Sequence, residues 1–300
     1  MQCYDTMQPI HAGGTAVALG YFDGVHLGHR SVLRAAQDMA AAHGLAAAAF
    51  TFTLPENGGM KGRAILTQSE KRRRMQAAGV QHYFCPPFAD FFALTPVQFV
   101  DEILLHCLGA RHVFCGDNFT FGAQKSGDVS LLHRLCEARG IGVHVVPMAL
   151  YGGEPVSSSR IRTALADGDF TAVNAMLGEK YRVDFPVQHG AHFDRTLGFP
   201  TIHQSYPPSM LLPKSGVYLT RTLAQGVWRP GATGIGTHPT VGGEGITCET
   251  FLGDYTGELY GEAVQVEFCA DWMPTVKFAS AEELQASLAD AAKAALAYFA

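Results

Sequence analysis

The rhythm of the chain changes once, near Tyr181, and that change limits the fold more than any other feature. Before it, short apolar runs at 15–22, 45–52, 80–85, 111–115 and 142–148 alternate with helical patterns at 31–43, 69–78, 96–108 and 129–139. Strands separated by helices of this length imply a parallel sheet with helices on both faces, the doubly wound α/β class, whose ligands bind at the carboxyl ends of the strands. Two short helices follow, at 158–166 and 170–177. After the change, strands at 182–188, 216–222, 234–236, 246–252 and 263–268 are punctuated by glycine and proline, the pattern of a small antiparallel β-barrel. An alanine-rich helix at 281–299, after Ser280 as its cap, ends the sequence. The expected division is therefore a doubly wound α/β domain over 1–180 and a small antiparallel barrel domain with a C-terminal helix over 181–300.

Composition supports two cores and removes several functions. Three hundred residues, 47% of them hydrophobic, exceed what one ordinary core accommodates. A formal net charge of −5 argues against a nucleic-acid binder, whose footprint is a basic patch. The dense basic run, Lys71-Arg72-Arg73-Arg74, lies in a helical pattern and reads as a solvated helix face. Seven cysteines without C-x-x-C spacing read as reduced core residues rather than a zinc site or a disulfide framework. Neither a signal peptide nor a membrane-length apolar run is present, so the expectation is a cytoplasmic protein with no membrane partner.

Within the first domain, His26-Leu27-Gly28-His29 stands at a strand-to-helix turn reached through Asp23-Gly24. The first N–H groups of a helix lack helical partners and its dipole is positive there, so this end favours anions. Gly28 lets a phosphate approach the backbone, and the two imidazoles can donate to oxygens that gain charge during reaction. Nothing in the turn is a nucleophile; the chemistry it suits is nucleotidyl transfer by positioning and charge stabilisation. Downstream, Gly116-Asp117-Asn118-Phe119-Thr120-Phe121-Gly122 follows a strand, and Ser157-Ser158-Ser159-Arg160-Ile161-Arg162 opens a helix suited to a triphosphate. In the barrel region Leu197-Gly198-Phe199-Pro200-Thr201 ends a turn, and Glu249 sits in a strand, where a carboxylate aimed into a barrel mouth would accept a proton from an attacking hydroxyl.

Together, in this order, these strings resemble the bifunctional prokaryotic riboflavin kinase/FMN adenylyltransferase family, often called FAD synthetases, from about Thr15 to the C-terminus. The resemblance implies ATP-dependent phosphorylation of riboflavin to FMN, then adenylylation of FMN to FAD, with Mg²⁺ and with small molecules as the only partners; it is silent on oligomeric state. By motif it implies catalytic roles for His26, His29 and Glu249, with Glu249 the general base for the riboflavin 5′-hydroxyl. Nucleotide or flavin binding would fall to Asp23, Gly24, Gly28, Asn118, Ser158, Ser159, Arg162, Gly198, Pro200 and Thr201, with Thr201 also on Mg²⁺. The chain departs from the family pattern at four places. Tyr21 stands where Asn is usual, residues 51–58 lack a Pro-His-Pro string, His203 replaces the Asn of Pro-Thr-Ala-Asn, and Met273 stands for an Arg. Adenylyl transfer is accordingly the better supported activity; the alternatives are an adenylyltransferase with an impaired kinase domain and a flavin- or nucleotide-binding regulator with little turnover.

Overall fold

The computed structural model describes residues 1–10, 12–55, 62–188, 201–237, 246–252, 255, 257–274 and 281–300. They form two compact units: residues 1–62 with 71–157, and residues 63–70 with 158–300.

The first unit is built on β1 (Gln2–Tyr4), β2 (Thr15–Leu19), α1 (Leu27–His43), β3 (Ala46–Phe50), α2 (Gln68–Ala77), β4 (His82–Phe84), α3 (Pro96–Gln98), β5 (Ala110–Gly116), α4 (Val129–Glu137) and β6 (Gly142–Val146). The six strands are all parallel in the order β1-β4-β3-β2-β5-β6, and a hairpin of β7 (Leu150–Tyr151) and β8 (Glu154–Pro155) follows. Because β3 pairs on one side of β2 and β5 on the other, the carboxyl end of β2 is the topological switch point, where such sheets bind ligands. Val32, Leu33, Ala36 and Ala40 give α1 a buried stripe at helical spacing, and Gly44 at φ 64° ends it with its N–H on the Ala40 carbonyl. The expected capping box of α3 is present, with Thr95 and Gln98 each accepting the other's backbone N–H, and Asp128 caps α4. Beyond α3 the helix continues as a π-helical stretch, Phe99–Cys107, which buries Phe99, Ile103 and Leu104 in the core beside Val17, Phe50 and Val113.

The second unit contains α5 (Ser158–Asp167), α6 (Phe170–Leu177), β9 (Tyr181–Gln188), β10 (Thr201–Ser205), β11 (Gly216–Ala224), β12 (Val227–Thr237), β13 (Ile246–Leu252), β14 (Ala263–Pro274) and α7 (Ala281–Phe299). The strands close into an antiparallel barrel in the order β10-β13-β12-β11-β14-β9. Both short helices, which precede the expected boundary at residue 180, lie in this unit, because Phe170 of α6 stacks on Phe268 at 4.9 Å and meets Tyr218 edge-on at 4.8 Å. Inside the barrel, fully buried Thr220, Thr233 and Thr250 join hydroxyl to hydroxyl at 2.8 and 2.9 Å, which satisfies polar groups that burial would otherwise penalise. On β14, buried Glu267 is held by Arg182 and Arg221, and both guanidinium groups flank Trp228. The cap expected at Ser280 lies outside the described residues. All seven cysteines are free thiols; Cys3 is exposed and the other six are buried. Among the described residues, no helix is long and apolar enough to cross a membrane.

Candidate active sites

In the first unit, β2 ends at Leu19 and the chain turns through residues 20–26 into α1, four residues earlier than the helical pattern alone suggested. The turn is strained: Phe22 and Val25 have φ of 53° and 45°, rare for any residue with a Cβ and more so for a β-branched one. Such residues cost about 1–3 kcal/mol each, and the near-complete burial of Phe22 and Val25 returns about 1.5–3 kcal/mol apiece, so packing holds the strained shape. His26 caps α1, its Nδ1 accepting the His29 N–H at 3.4 Å. The two imidazole rings stack with centroids 3.6 Å apart, and Phe22 meets His29 edge-on at 5.2 Å. Burial lowers the His26 pKa to about 4. A neutral ring whose Nδ1 accepts must carry its proton on Nε2, which makes His26 a hydrogen-bond donor without charge.

Gly28 has a closer reason than phosphate access. A Cβ there would sit 3.3 Å from His26 Cε1, 3.4 Å from its Nδ1 and 3.8 Å from the Val156 carbonyl oxygen. The glycine therefore gives the His26 ring its place. Asp23 is buried within the turn, and Gly24 takes φ of 90°. Asn118 is exposed two residues beyond β5, the strand next to β2.

The basic run is corrected by the structure. Arg72 is exposed, but Lys71 and Arg74, one helical turn apart, are buried beneath the β2 turn. Lys71 Nζ donates to the Tyr21 carbonyl at 2.7 Å and to Thr51 Oγ1 at 2.8 Å, and Thr51 donates to the same carbonyl. Burial pushes the Lys71 pKa down, while the Asp23 carboxylate is among the groups that oppose the shift. Arg74 donates to the Gly24 carbonyl at 3.3 Å. Two cations thus hold the turn by its backbone oxygens. Tyr21, one of the departures, stacks on Phe52 at 4.8 Å and lies under Lys71 at 4.9 Å.

In the second unit, Ser158 and Ser159 open α5, Ser159 exposed and Ser158 half-buried, while Arg162 Nε donates to the Arg63 carbonyl at 3.4 Å. Gly198 and Pro200 lie outside the described residues. Thr201 and Glu249 fall on adjacent strands β10 and β13, but they do not face the barrel interior as expected. Cys248, Thr250 and Leu252 are the buried phase of β13, so the alternation of a strand puts Glu249 on the outer face. His203 is the direct cross-strand partner of Glu249, and Thr201 is two residues before it on the same face. Thr201 Oγ1 lies 3.2 Å from His203 Nε2, and His203 Nδ1 lies 3.3 Å from Glu249 Oε1. On its other flank Glu249 pairs with Gly234 of β12, which brings no side chain. Met273 stands in β14 opposite Val217.

Two family profiles match in tandem: FAD synthetase over residues 8–160 and riboflavin kinase over residues 177–299. Among curated relatives, the bifunctional riboflavin kinase/FMN adenylyltransferase of Escherichia coli K12 is 33% identical over 282 residues, covering 92% of this chain and 90% of its own length. The same-named proteins of Bacillus subtilis and Pseudomonas fluorescens are each 32% identical, covering 95% and 96% of this chain and 92% and 94% of their own lengths. A crystal structure described as a macrolide-efflux protein from Streptococcus pneumoniae shares the fold, with a TM-score of 0.87, 25% identity and 98% coverage of both chains. With one profile over each half and relatives matched along nearly their whole length, the chain belongs to the bifunctional riboflavin kinase/FMN adenylyltransferase family.

Proposed function

We propose that this chain makes flavin cofactors in the cytoplasm by two uses of ATP: γ-phosphoryl transfer to riboflavin and adenylyl transfer to the resulting FMN. The observation that carries this reading is the pairing of two architectures in the family's order, a parallel sheet with the capped H-x-G-H turn at its switch point and a closed barrel with Thr201 and Glu249 on one face.

For adenylyl transfer over residues 1–180, His26 and His29 donate to ATP phosphate oxygens, and Ser158, Ser159 and Arg162 bind phosphate. Asn118, Asp23 and Gly24 serve the flavin and nucleotide. A neutral His26 donates without repelling Mg²⁺ or its own stacked partner. For riboflavin phosphorylation over residues 181–300, Glu249 takes the 5′-hydroxyl proton, while Gly198, Pro200 and Thr201 hold nucleotide. Mg²⁺, which prefers oxygen ligands, would be held by the Thr201 hydroxyl and not by the His203 nitrogens, and would neutralise phosphate charge.

One assay tests the reading. The full chain is incubated with riboflavin, ATP and Mg²⁺, and separately with FMN, ATP and Mg²⁺, and the flavins are resolved by chromatography. FMN from the first tube and FAD from the second are expected; FAD alone would leave an adenylyltransferase with an impaired kinase, and no product in either would leave a binding protein. His29→Ala should abolish FAD formation, and Glu249→Gln should abolish FMN formation.

A further inference from the structure

We infer that His203 is a positioning residue for riboflavin phosphorylation, its imidazole linking the Thr201 hydroxyl to the Glu249 carboxylate so that both are set for the transfer. This rests on the kinase reading above. The link is fixed by strand register: His203 and Glu249 are direct partners across β10 and β13, and Thr201 shares the face of His203 because side chains two apart on a strand point the same way. The contacts of 3.2 and 3.3 Å engage both ring nitrogens.

Proton placement follows from the partners. An ionised carboxylate only accepts, so Nδ1 facing Glu249 carries hydrogen; with the ring neutral, Nε2 is an acceptor and the Thr201 hydroxyl donates to it. This is the less common tautomer of free imidazole, selected here by the carboxylate. Its effects fall on both neighbours. Binding Oε1 restricts rotation of the carboxylate, and committing the Thr201 proton to Nε2 leaves its oxygen to accept toward its other neighbours, the polarity a phosphate-bound cation needs.

In the transfer itself the riboflavin 5′-O–H proton passes to Glu249. A bond forms from that oxygen to the γ-phosphorus, and the bond from the γ-phosphorus to the β–γ bridging oxygen breaks, ADP leaving with the electron pair. His203 gains and loses nothing in this balance; it acts through the residues it holds.

Three variants and one spectrum test the inference. His203→Leu keeps bulk and removes both contacts; kcat for FMN formation should fall about tenfold or more, while the riboflavin KM changes less than about threefold. His203→Gln and His203→Asn offer a donor and an acceptor, and at least one should restore kcat to within about threefold of the parent. Fluorescence of Trp228 and Trp272, both in the second unit with His203, reports whether each variant has folded. Long-range ¹H–¹⁵N spectra should show His203 as the Nδ1–H tautomer in the parent chain and no longer so in Glu249→Ala, a readout independent of turnover and of any one variant's folding. An Nε2–H tautomer in the parent, or unchanged kcat in folded His203→Leu, overturns the inference alone. Failure of the parent chain to phosphorylate riboflavin while it forms FAD overturns the kinase reading, and the inference with it.

Discussion

His26 should make the first unit sensitive to acid by a calculable amount. In the unfolded chain its imidazole titrates near 6.5, and in the folded chain at about 4, because burial disfavours the charged ring by more than a backbone hydrogen bond favours it. Between those values the unfolded state binds more protons, so stability is complete above pH 6.5 and declines as pH falls, levelling off below about 4. At about 1.4 kcal/mol per pH unit, the shift from 6.5 to about 4 amounts to about 3 kcal/mol, of which about 2 kcal/mol is lost between pH 7 and pH 5. His26→Asn keeps a good helix cap and removes the titration. Both tryptophans, Trp228 and Trp272, lie in the second unit, so their fluorescence would report on the other fold. The fitting assay is native-state hydrogen exchange of the β2 and β5 amides at pH 5, 6 and 7. Burial also lowers His82, His112 and His144 in the same unit, but these act alike in parent and variant. The parent should lose about 2 kcal/mol more than His26→Asn over that range. Equal losses would refute the claim that the fold keeps His26 neutral.

Other perturbations follow from the same geometry. Lys71→Met should destabilise the first unit by about 1–3 kcal/mol, two charge-assisted hydrogen bonds being lost against the relief of a buried charge, and should slow FAD formation by releasing the Tyr21 carbonyl; hydrogen exchange and the chromatographic assay measure the two effects. Gly28→Ala should leave stability within about 1 kcal/mol, since alanine favours the helix, yet reduce FAD formation about tenfold by displacing the His26 ring, and equal effects on stability and rate would contradict the ring's role. Thr233→Val should cost the barrel about 1–3 kcal/mol by stranding Thr220 and Thr250, whereas replacing all three threonines by valine should recover most of it, as followed by tryptophan fluorescence in urea.

The repeating elements were readable because their patterns are local. The strand at Ile246–Leu252 and the helices at Phe170–Leu177 and Ala281–Phe299 have the expected bounds, and so do the caps at Thr95 and Asp128. The start of α1 was missed because its cap is an imidazole, a residue with no capping preference to betray it. β10 was missed because Thr201–Ser205 is mostly polar, its inward residues reduced to Ile202 and Gln204. Lys71 and Arg74 were misjudged for a related reason: their partners are backbone carbonyls, which leave no mark in a sequence, so two anchoring cations look like surface charge. The outward facing of Glu249, by contrast, is written in the strand's alternation. Cys248, Thr250 and Leu252 set the phase of the strand and leave Glu249 on the opposite side.

The distribution of thiols turns chemistry into a counter for the two folds. A thiol shielded from solvent reacts only when its surroundings open, so a gentle alkylating reagent should add one label to the native chain, at Cys3. Opening the first unit releases Cys85, Cys107, Cys115 and Cys136; opening the second releases Cys248 and Cys269. The mass of the trapped protein, in steps of four or of two labels, would therefore name which half gave way first and at what denaturant concentration.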